Sequence, residues 1–245
     1  MSDWINTFVF GIYPYICLAV FAIGCMLRYD LEPYTWRSGS SQLLRRRQLV
    51  LGSVLFHVGV LIVFFGHLVG LLTPIEIFDW IGISHGAKQM MAIVVGGIAG
   101  VFALIGGLVL LHRRLFDARI RTTSSFADIA ILAILVVQLG LGLGTIPVSM
   151  QHLDGGEMVT FMSWAQGIFT FQSGVADYVR DSHWIFKAHL FLGLTIFLLF
   201  PFTRLVHMLS APVRYLWRPG YQVVRSRQTT AAPGYPGTPR RLSAE

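Results

Sequence analysis

Five long apolar runs restrict this chain to a fold that crosses a lipid bilayer several times. They span residues 8–27, 49–72, 90–111, 129–148 and 184–209, each near the ~20 residues that a membrane-spanning helix needs. Hydrophobic residues make up 54% of the 245-residue chain, and charged residues make up 13%, roughly half the share in a soluble domain. The runs lack the alternating polarity of membrane strands. The sequence therefore predicts an all-α integral membrane bundle of five transmembrane helices.

Basic residues are concentrated on one predicted side of the bundle. The side that carries the N-terminus and the segments 73–89 and 149–183, counted together with the nearby start of the fifth run, holds seven acids but only three of the 19 basic residues. These three are Lys88, Arg180 and Lys187. The other sixteen are arginines on the opposite side, mostly next to the ends of apolar runs. The positive-inside rule then predicts a periplasmic N-terminus and a cytoplasmic C-terminus in a bacterial inner membrane. This placement argues against nucleic acid as a partner.

The remaining composition indicates one membrane domain with a polar tail. Asp3 and the length of the first run favour a retained span over a cleaved signal peptide. Residues 1–225 form the predicted membrane domain, and residues 226–245, rich in Pro, Gly, Ser and Thr, form a predicted mobile cytoplasmic tail. The two cysteines, Cys17 and Cys25, are expected to be buried thiols, because no CxxC or CxxCH motif exists for an iron–sulfur cluster or a c-type haem.

Four of the eight histidines lie within the apolar runs, where an unpaired imidazole is costly. The second and fifth runs cross in opposite directions. His67 and His189 are therefore both predicted near the periplasm, and His57 and His207 near the cytoplasm. Two such level pairs are what two bis-histidine b-type haems require. The alternative for each histidine is a hydrogen-bonded core side chain.

The spacing fits two stacked haems only in part. His57 and His67 are ~15 Å apart along an ideal helix, whereas His189 and His207 would be ~27 Å apart. Pro201 lies between the latter two and is expected to kink the fifth helix. A zinc or copper site is disfavoured, because no carboxylate or thiolate nearby completes its ligand shell.

Several other residues are candidates with open alternatives. Lys88 lies just before the third run, close in depth to His67, and could either bind a ligand oxygen or snorkel to the interface. Arg204 could meet a haem propionate or lipid headgroups. Gly96 and Gly100 could admit a flat ring or serve helix packing. The remaining histidines are expected to be interfacial or solvated: His85, His112, His152 and His183.

The chain resembles the gamma subunit of the membrane-bound respiratory nitrate reductase, a di-haem cytochrome b subunit, over roughly residues 8–225. The matching stretches are "IYPYI", "LRYD", "YTWR", "SSQ", "LFHVGVL", "GH", "LTP", "KQMMA", "LIGG", "RRLF", "QHLDGGEM", "WAQ", "HLFLG" and "LFPFTRLVH".

The resemblance implies a role in electron transfer. His67 and His189 would ligate a distal haem b, and His57 and His207 a proximal one. Lys88 would serve the quinol site, and Gly66 would leave room for the quinol ring. The implied partners are an iron–sulfur beta subunit and a molybdenum alpha subunit on the cytoplasmic face, where nitrate is reduced to nitrite.

Two other functions remain open from the sequence. One is the haem b subunit of another respiratory complex, such as a formate dehydrogenase or a hydrogenase. The other is a haem-free membrane anchor or transporter whose histidines relay protons. A chromophore and the co-purified partners would distinguish these possibilities.

Overall fold

The computed structural model describes residues 3–36 and 44–210, and within these ranges the chain is helical and contains no strand. The predicted tail at 226–245 and the C-terminus lie outside the described residues. The α-helices are α1 (Asp3–Thr7), α2 (Tyr13–Leu31), α3 (Arg46–Leu72), α4 (Ile75–Trp80), α5 (His85–Phe116), α6 (Ala118–Thr122), α7 (Phe126–Ser149), α8 (Gly156–Phe169) and α9 (Trp184–Leu199).

Five helical stretches are long and apolar enough to cross a membrane, which confirms the predicted fold class. Four of them are longer than the apolar runs, because polar and aromatic residues extend each helix into the interface. The stretches are Asp3–Leu31, Arg46–Leu72, His85–Phe116, Phe126–Ser149 and Trp184–Phe202. The first contains a π-helical turn at Phe8–Ile12.

The fifth helix is shorter than predicted. α9 ends at Leu199, and a 3-10 turn at Phe200–Phe202 follows it. Thr203 is extended, with φ −123° and ψ 178°, and a 3-10 segment then runs over Arg204–Ser210. The expected continuation to residue 209 with a kink at Pro201 was therefore wrong. Proline has no N–H, and its ring clashes with the preceding turn, so the α-helix ends here instead of bending.

Arg28 of α2 holds the break after α9. Its guanidinium donates to the carbonyl oxygens of Pro201 at 2.6 Å and Thr203 at 2.9 Å. Gly24, one turn earlier, makes room for the proline ring, since a Cβ there would lie 2.7 Å from Pro201 Cγ. The irregular segment is thus fixed by α2, which supplies both the space and the donors that it needs.

Small residues bring α3 and α5 into close contact. A Cβ at Gly59 would lie 2.4 Å from the Ala99 carbonyl oxygen, and one at Gly106 would lie 2.4 Å from the Phe56 nitrogen. Such close approach of two backbones is typical of membrane helices. The packing then continues from α5 to α7, from α7 to α9 and from α9 to α2.

The segment 149–183, between the fourth and fifth spans, contains the helix α8. Its 14 residues are too few to cross a bilayer, and it packs instead against α3 and α5 at the end of the bundle where the chain begins. We call this end the N-terminal face. The Trp164 indole N–H of α8 donates to the Phe10 carbonyl oxygen at 2.9 Å. Pro14, four residues after Phe10, has no N–H to donate to this oxygen.

The opposite end, which we call the basic face, carries most of the described arginines. Asp117 caps α6 there and lies 2.5 Å from the Arg45 guanidinium. Partial desolvation alone would raise the pKa of the Asp117 carboxyl, but the backbone N–H groups of α6 and the Arg45 charge together hold that pKa below its usual value.

Exposed aromatic side chains ring both ends of the bundle, as they do at membrane–water interfaces. On the N-terminal face they are Trp4, Trp80, Phe171 and Trp184, and on the basic face Tyr34, Phe116 and Phe126.

Candidate functional site

The four histidines of the apolar runs form two pairs. The His67 and His189 rings lie with their centroids 6.1 Å apart near the N-terminal face. The His57 and His207 rings lie 6.4 Å apart nearer the basic face. These are the pairs that helix direction and depth predict. In each pair α3 supplies one imidazole, and α9 or the segment after it supplies the other.

Backbone carbonyls orient three of the four rings. His57 Nδ1 is 2.8 Å from the Ser53 oxygen, His67 Nδ1 is 2.8 Å from the Val63 oxygen, and His207 Nδ1 is 2.5 Å from the Arg204 oxygen. Because a carbonyl oxygen only accepts, each Nδ1 must carry the proton. The Nε2 lone pair of each ring is then available to a metal, which is the usual arrangement for a ligating histidine.

His189 is held differently, by contacts from α7. Its Nδ1 is buried and has no hydrogen-bond partner among the described residues. Gly142 leaves room for the ring, since a Cβ there would lie 2.9 Å from His189 Cε1. Gln138 donates to the His189 carbonyl oxygen at 3.0 Å. Gln138 was not predicted from the sequence, where its only signal is an amide inside an apolar run.

The ring separations fit an iron ion held between two imidazoles. With about 2.0 Å from the metal to each nitrogen, the ring centroids would lie roughly 6.2 Å apart. Within residues 3–36 and 44–210, no cluster of three or more His, Cys, Asp or Glu side chains is arranged to hold a metal ion. Two axial imidazoles are sufficient only where a porphyrin supplies the other ligands. The donor set therefore fits a haem better than a zinc or copper ion.

Open space borders α3 and α5. A Cβ at Gly66, Gly70 or Gly96 would meet no atom within 4 Å. Gly100 serves helix packing instead, because a Cβ there would lie 2.9 Å from Leu143 Cδ2. Of the two predicted alternatives, open space therefore applies to Gly96 and helix packing to Gly100. Gly66, the expected neighbour of a quinol ring, is open.

Lys88 is a buried cation near the first pair. Its side chain is 3% exposed, and its ammonium donates to the Gly70 carbonyl oxygen at 2.9 Å and to Met162 Sδ at 2.8 Å. The same nitrogen lies 3.8 Å from the centre of the Phe78 ring. An interfacial snorkelling lysine would be exposed, so that alternative was wrong. Gly70 is one turn beyond His67, and an ammonium has three donors, so Lys88 can offer a further hydrogen bond close to His67.

Phe78 on α4 and Met162 on α8 were not identified from the sequence. Both lie on short helices outside the membrane spans, and an isolated Phe or Met gives no sequence signal for contact with a lysine ammonium.

Arg204 lies beside the second pair. Its Nε is 3.6 Å from Asp128 Oδ1, and both side chains are largely buried. Asp128 also closes a capping box with Ser125 at the start of α7. Arg204 is therefore anchored to α7, while its carbonyl oxygen receives the His207 Nδ1–H.

The other histidines lie at the ends of helices. His85 Nε2 is 3.2 Å from Asp79 Oδ1, and His152 Nδ1 is 3.9 Å from Glu157 Oε1. His183 caps α9 by accepting from the Ile185 N–H, and His112 packs on Phe116. None of these residues joins either ring pair.

The fold and the paired rings define an integral membrane protein with five candidate membrane spans in the described residues and two histidine pairs at two depths of the bundle. Comparison with known proteins identifies the family. The nitrate reductase gamma subunit model matches residues 6–227, and the chain belongs to this family. It is thus a subunit of an oxidoreductase complex.

Curated relatives match nearly the whole chain. It is 53% identical to the respiratory nitrate reductase 2 gamma chain of Escherichia coli K12, with 93% of this chain and 100% of the relative covered. It is 52% identical to the respiratory nitrate reductase 1 gamma chain of the same organism, with 92% and 99% covered. The nitrate reductase gamma chain of Bacillus subtilis 168 is 38% identical, with 89% and 97% covered.

Proposed function

We propose that this chain oxidises quinol near the N-terminal face and passes the electrons through two b-type haems toward the basic face. There they enter an iron–sulfur subunit and then a molybdenum subunit that reduces nitrate to nitrite. The observation that carries the proposal is the pair of ring separations, 6.1 and 6.4 Å, at two depths in one bundle. The family supports the nitrate reductase assignment over a formate dehydrogenase or hydrogenase subunit.

The four histidines would each hold a haem iron through Nε2. His67 and His189 would hold the distal haem, and His57 and His207 the proximal haem. Bound haem b supplies reversible one-electron transfer at the iron, so two of them connect the two ends of the bundle. The carbonyl oxygens that accept from Nδ1 at His57, His67 and His207 fix the orientation of those rings and leave Nε2 as the atom that would bind iron.

Lys88 would bind the quinol. Its ammonium is anchored by Gly70 and Met162 and can donate its remaining N–H to a quinol oxygen. A positive charge at that oxygen stabilises the deprotonated form and so favours release of the proton. The open backbone at Gly66, next to His67, leaves room for the quinol ring.

The two faces of the bundle differ in charge, as the proposed reaction requires, with quinol oxidised at the N-terminal face and electrons delivered at the basic face. The excess of arginine on the basic face supports a cytoplasmic orientation of that face, where the iron–sulfur partner would dock. Arg204, paired with Asp128, lies at the depth where a haem propionate would be expected. Protons released at the N-terminal face and electrons moved inward would together add to the membrane potential.

Lys88→Met in the assembled complex tests the quinol role. Methionine keeps the length and apolar stem of lysine but cannot donate a hydrogen bond. We expect quinol-driven nitrate reduction to fall at least about thirtyfold, since a charge-assisted bond contributes about 2 kcal/mol or more. Nitrate reduction driven by a soluble dye that donates directly to the cytoplasmic subunits should stay unchanged, as should the visible haem spectrum.

Lys187→Met is the matched control. Lys187 is the other lysine of the chain, and in the structure it donates to the Arg180 carbonyl oxygen at the surface. Its variant should retain quinol-driven activity. Full quinol-driven activity in Lys88→Met would contradict the assignment of Lys88 to the quinol site.

A further inference from the structure

A histidine–aspartate pair lies one helical turn outward from Lys88. His85 is the first residue of α5, and its Nε2 is 3.2 Å from Asp79 Oδ1. His85 and Lys88 are three residues apart, so they lie on the same face of α5. Their partners are also adjacent, because Lys88 contacts Phe78 and His85 contacts Asp79. α4 therefore supplies both partners. Its apolar Phe78 contacts the buried Lys88, and its polar Asp79 contacts the exposed His85.

The pair is exposed to water and lies on the same helix face as the lysine. Lys88 is 3% exposed, whereas the side chains of His85 and Asp79 are 42% and 54% exposed. The backbone positions of His85 and Lys88 are ~4.5 Å apart along the helix axis. Water bridges polar groups that do not touch directly, and such a bridge would connect a quinol oxygen at Lys88 with His85.

The position of His85 is fixed by its neighbours. Ser84 caps α5 by accepting from the Ala87 N–H at 3.2 Å. Gly155, in the left-handed region with φ +84°, packs on the His85 backbone so closely that a Cβ there would lie 2.6 Å from it. The titratable side chains on the elements around His85 are Glu76 and Asp79 on α4, Lys88 on α5, and His152, Asp154 and Glu157 at the start of α8.

We propose that Asp79 and His85 form the proton acceptor through which the quinol site discharges its protons at the N-terminal face. This inference rests on the proposed oxidation of quinol at Lys88. With Nε2–H donated to the Asp79 carboxylate, the His85 Nδ1 lone pair is the free acceptor. Asp79 holds the tautomer and stabilises the imidazolium that forms, as a carboxylate does for a histidine base.

The proton balance is simple. A quinol O–H bond breaks, and the proton passes through water to His85 Nδ1, where a new N–H bond forms. The exposed imidazolium then loses this proton to the aqueous phase, which returns the neutral ring for the second proton. One quinol thus gives one quinone, two protons to the N-terminal face and two electrons to the acceptors named under the proposed function.

His85→Gln and Asp79→Asn in the assembled complex test the proposal. We expect His85→Gln to lower the kcat of quinol-driven nitrate reduction at least about tenfold, with the KM for quinol, the haem spectrum and the dye-driven rate unchanged. Asp79→Asn should lower kcat by a smaller factor, because it keeps the imidazole but loses the compensating charge.

Chemical rescue separates a proton acceptor from a structural contact. External imidazole should restore most of the kcat of His85→Ala, while leaving the wild-type rate unchanged. His152→Gln is the matched control, since His152 is the other imidazole near a carboxylate on this face but lies off the Lys88 face of α5. We expect it to stay within about twofold of the wild-type kcat.

Three results would overturn the proposal. They are a kcat within twofold of wild type in His85→Gln, a loss that imidazole does not rescue in His85→Ala, and an equal loss in His152→Gln. Failure of the underlying function looks different, because wild-type complex would then show dye-driven but no quinol-driven nitrate reduction.

Discussion

The two histidine pairs share α3 but are completed in different ways. The His67–His189 pair uses a regular part of α9, and glycine and glutamine residues of α7 support it. The His57–His207 pair takes its second ring from the 3-10 segment Arg204–Ser210, beyond the end of α9. A continuous helix from residue 189 to 207 would rise ~27 Å, about 12 Å more than the spacing on α3. The extended Thr203 redirects the chain and so allows His207 to meet His57.

The electrostatic surroundings of the pairs differ as well. A single buried ammonium, Lys88, lies near the first pair, and among the described residues no carboxylate lies within salt-bridge distance of it. The second pair lies beside an ion pair, Arg204 with Asp128. The first environment would suit the proposed quinol, which gives up a proton, whereas the Arg204 cation of the second is already paired with a carboxylate. The difference indicates that the ends of the bundle have separate tasks, so a change at one pair should leave the other intact.

Gly142→Ala should disrupt the first pair and give the largest effect. The added Cβ would lie 2.9 Å from His189 Cε1 and force the ring to move. A displacement near 1 Å in such a site costs about a hundredfold in rate. We expect quinol-driven turnover to fall by about that factor and one of two haem signals to shift or disappear. Visible spectra of the purified complex, with the turnover assay, measure both.

Gly140→Ala is the control on the same helix. Two residues away, position 140 faces the other side of α7, and a Cβ there meets no atom within 4 Å. This variant should match the wild type in spectrum and rate. Equal damage from both substitutions would show that α7 tolerates no side chain, and would remove the argument for a specific His189 contact.

Arg28→Ala should weaken the second pair and leave the first unchanged. The substitution leaves the Pro201 and Thr203 carbonyl oxygens without their donor. Each buried polar group that loses its hydrogen bond lowers the free energy of unfolding by about 1–3 kcal/mol. The segment that carries His207 should then lose its fixed position. We expect a lower thermal unfolding temperature and a broadened signal for the haem of the second pair only.

Arg28→Lys refines this test. Lysine retains the charge but lacks the planar guanidinium that reaches both oxygens, so an intermediate loss is expected. If Arg28→Ala instead perturbed the signal of the first pair, the two pairs would not be independent.

Ser53→Ala should give the smallest effect. The Ser53 hydroxyl is 3.2 Å from His57 Nδ1, but the carbonyl of the same residue is nearer, at 2.8 Å. The carbonyl bond therefore persists, and the change should cost about 1 kcal/mol or less. A redox titration should show both haem signals, with a small change in midpoint potential confined to the second pair. Loss of that signal would mean that the hydroxyl, not the carbonyl, orients the ring.

The sequence predicts well what depends on apolar length and helix direction. The five spans follow from hydrophobicity, and the pairing of His67 with His189 and of His57 with His207 follows from antiparallel crossing. The family resemblance is confirmed by the match over residues 6–227.

The features that sequence reasoning missed depend on tertiary contacts. The end of α9 is fixed by Arg28 and Gly24, which lie far from it in the chain. The burial of Lys88 depends on Phe78 and Met162, which α4 and α8 bring to it. Neither short helix has an apolar run long enough to be noticed in a search for membrane spans.

A haem count on the purified chain tests the central claim most directly. Reduced-minus-oxidised visible spectra and the haem content per chain should be recorded for the wild type and four variants. The variants are His57→Ala, His67→Ala, His189→Ala and His207→Ala, with His183→Ala as a control outside both pairs.

We expect two b-type haems per wild-type chain. His67→Ala and His189→Ala should lose one signal, His57→Ala and His207→Ala should lose the other, and His183→Ala should keep both. An intact chain that binds no haem would contradict the account and leave a haem-free anchor or a proton relay. A different grouping of the four variants would contradict the pairing.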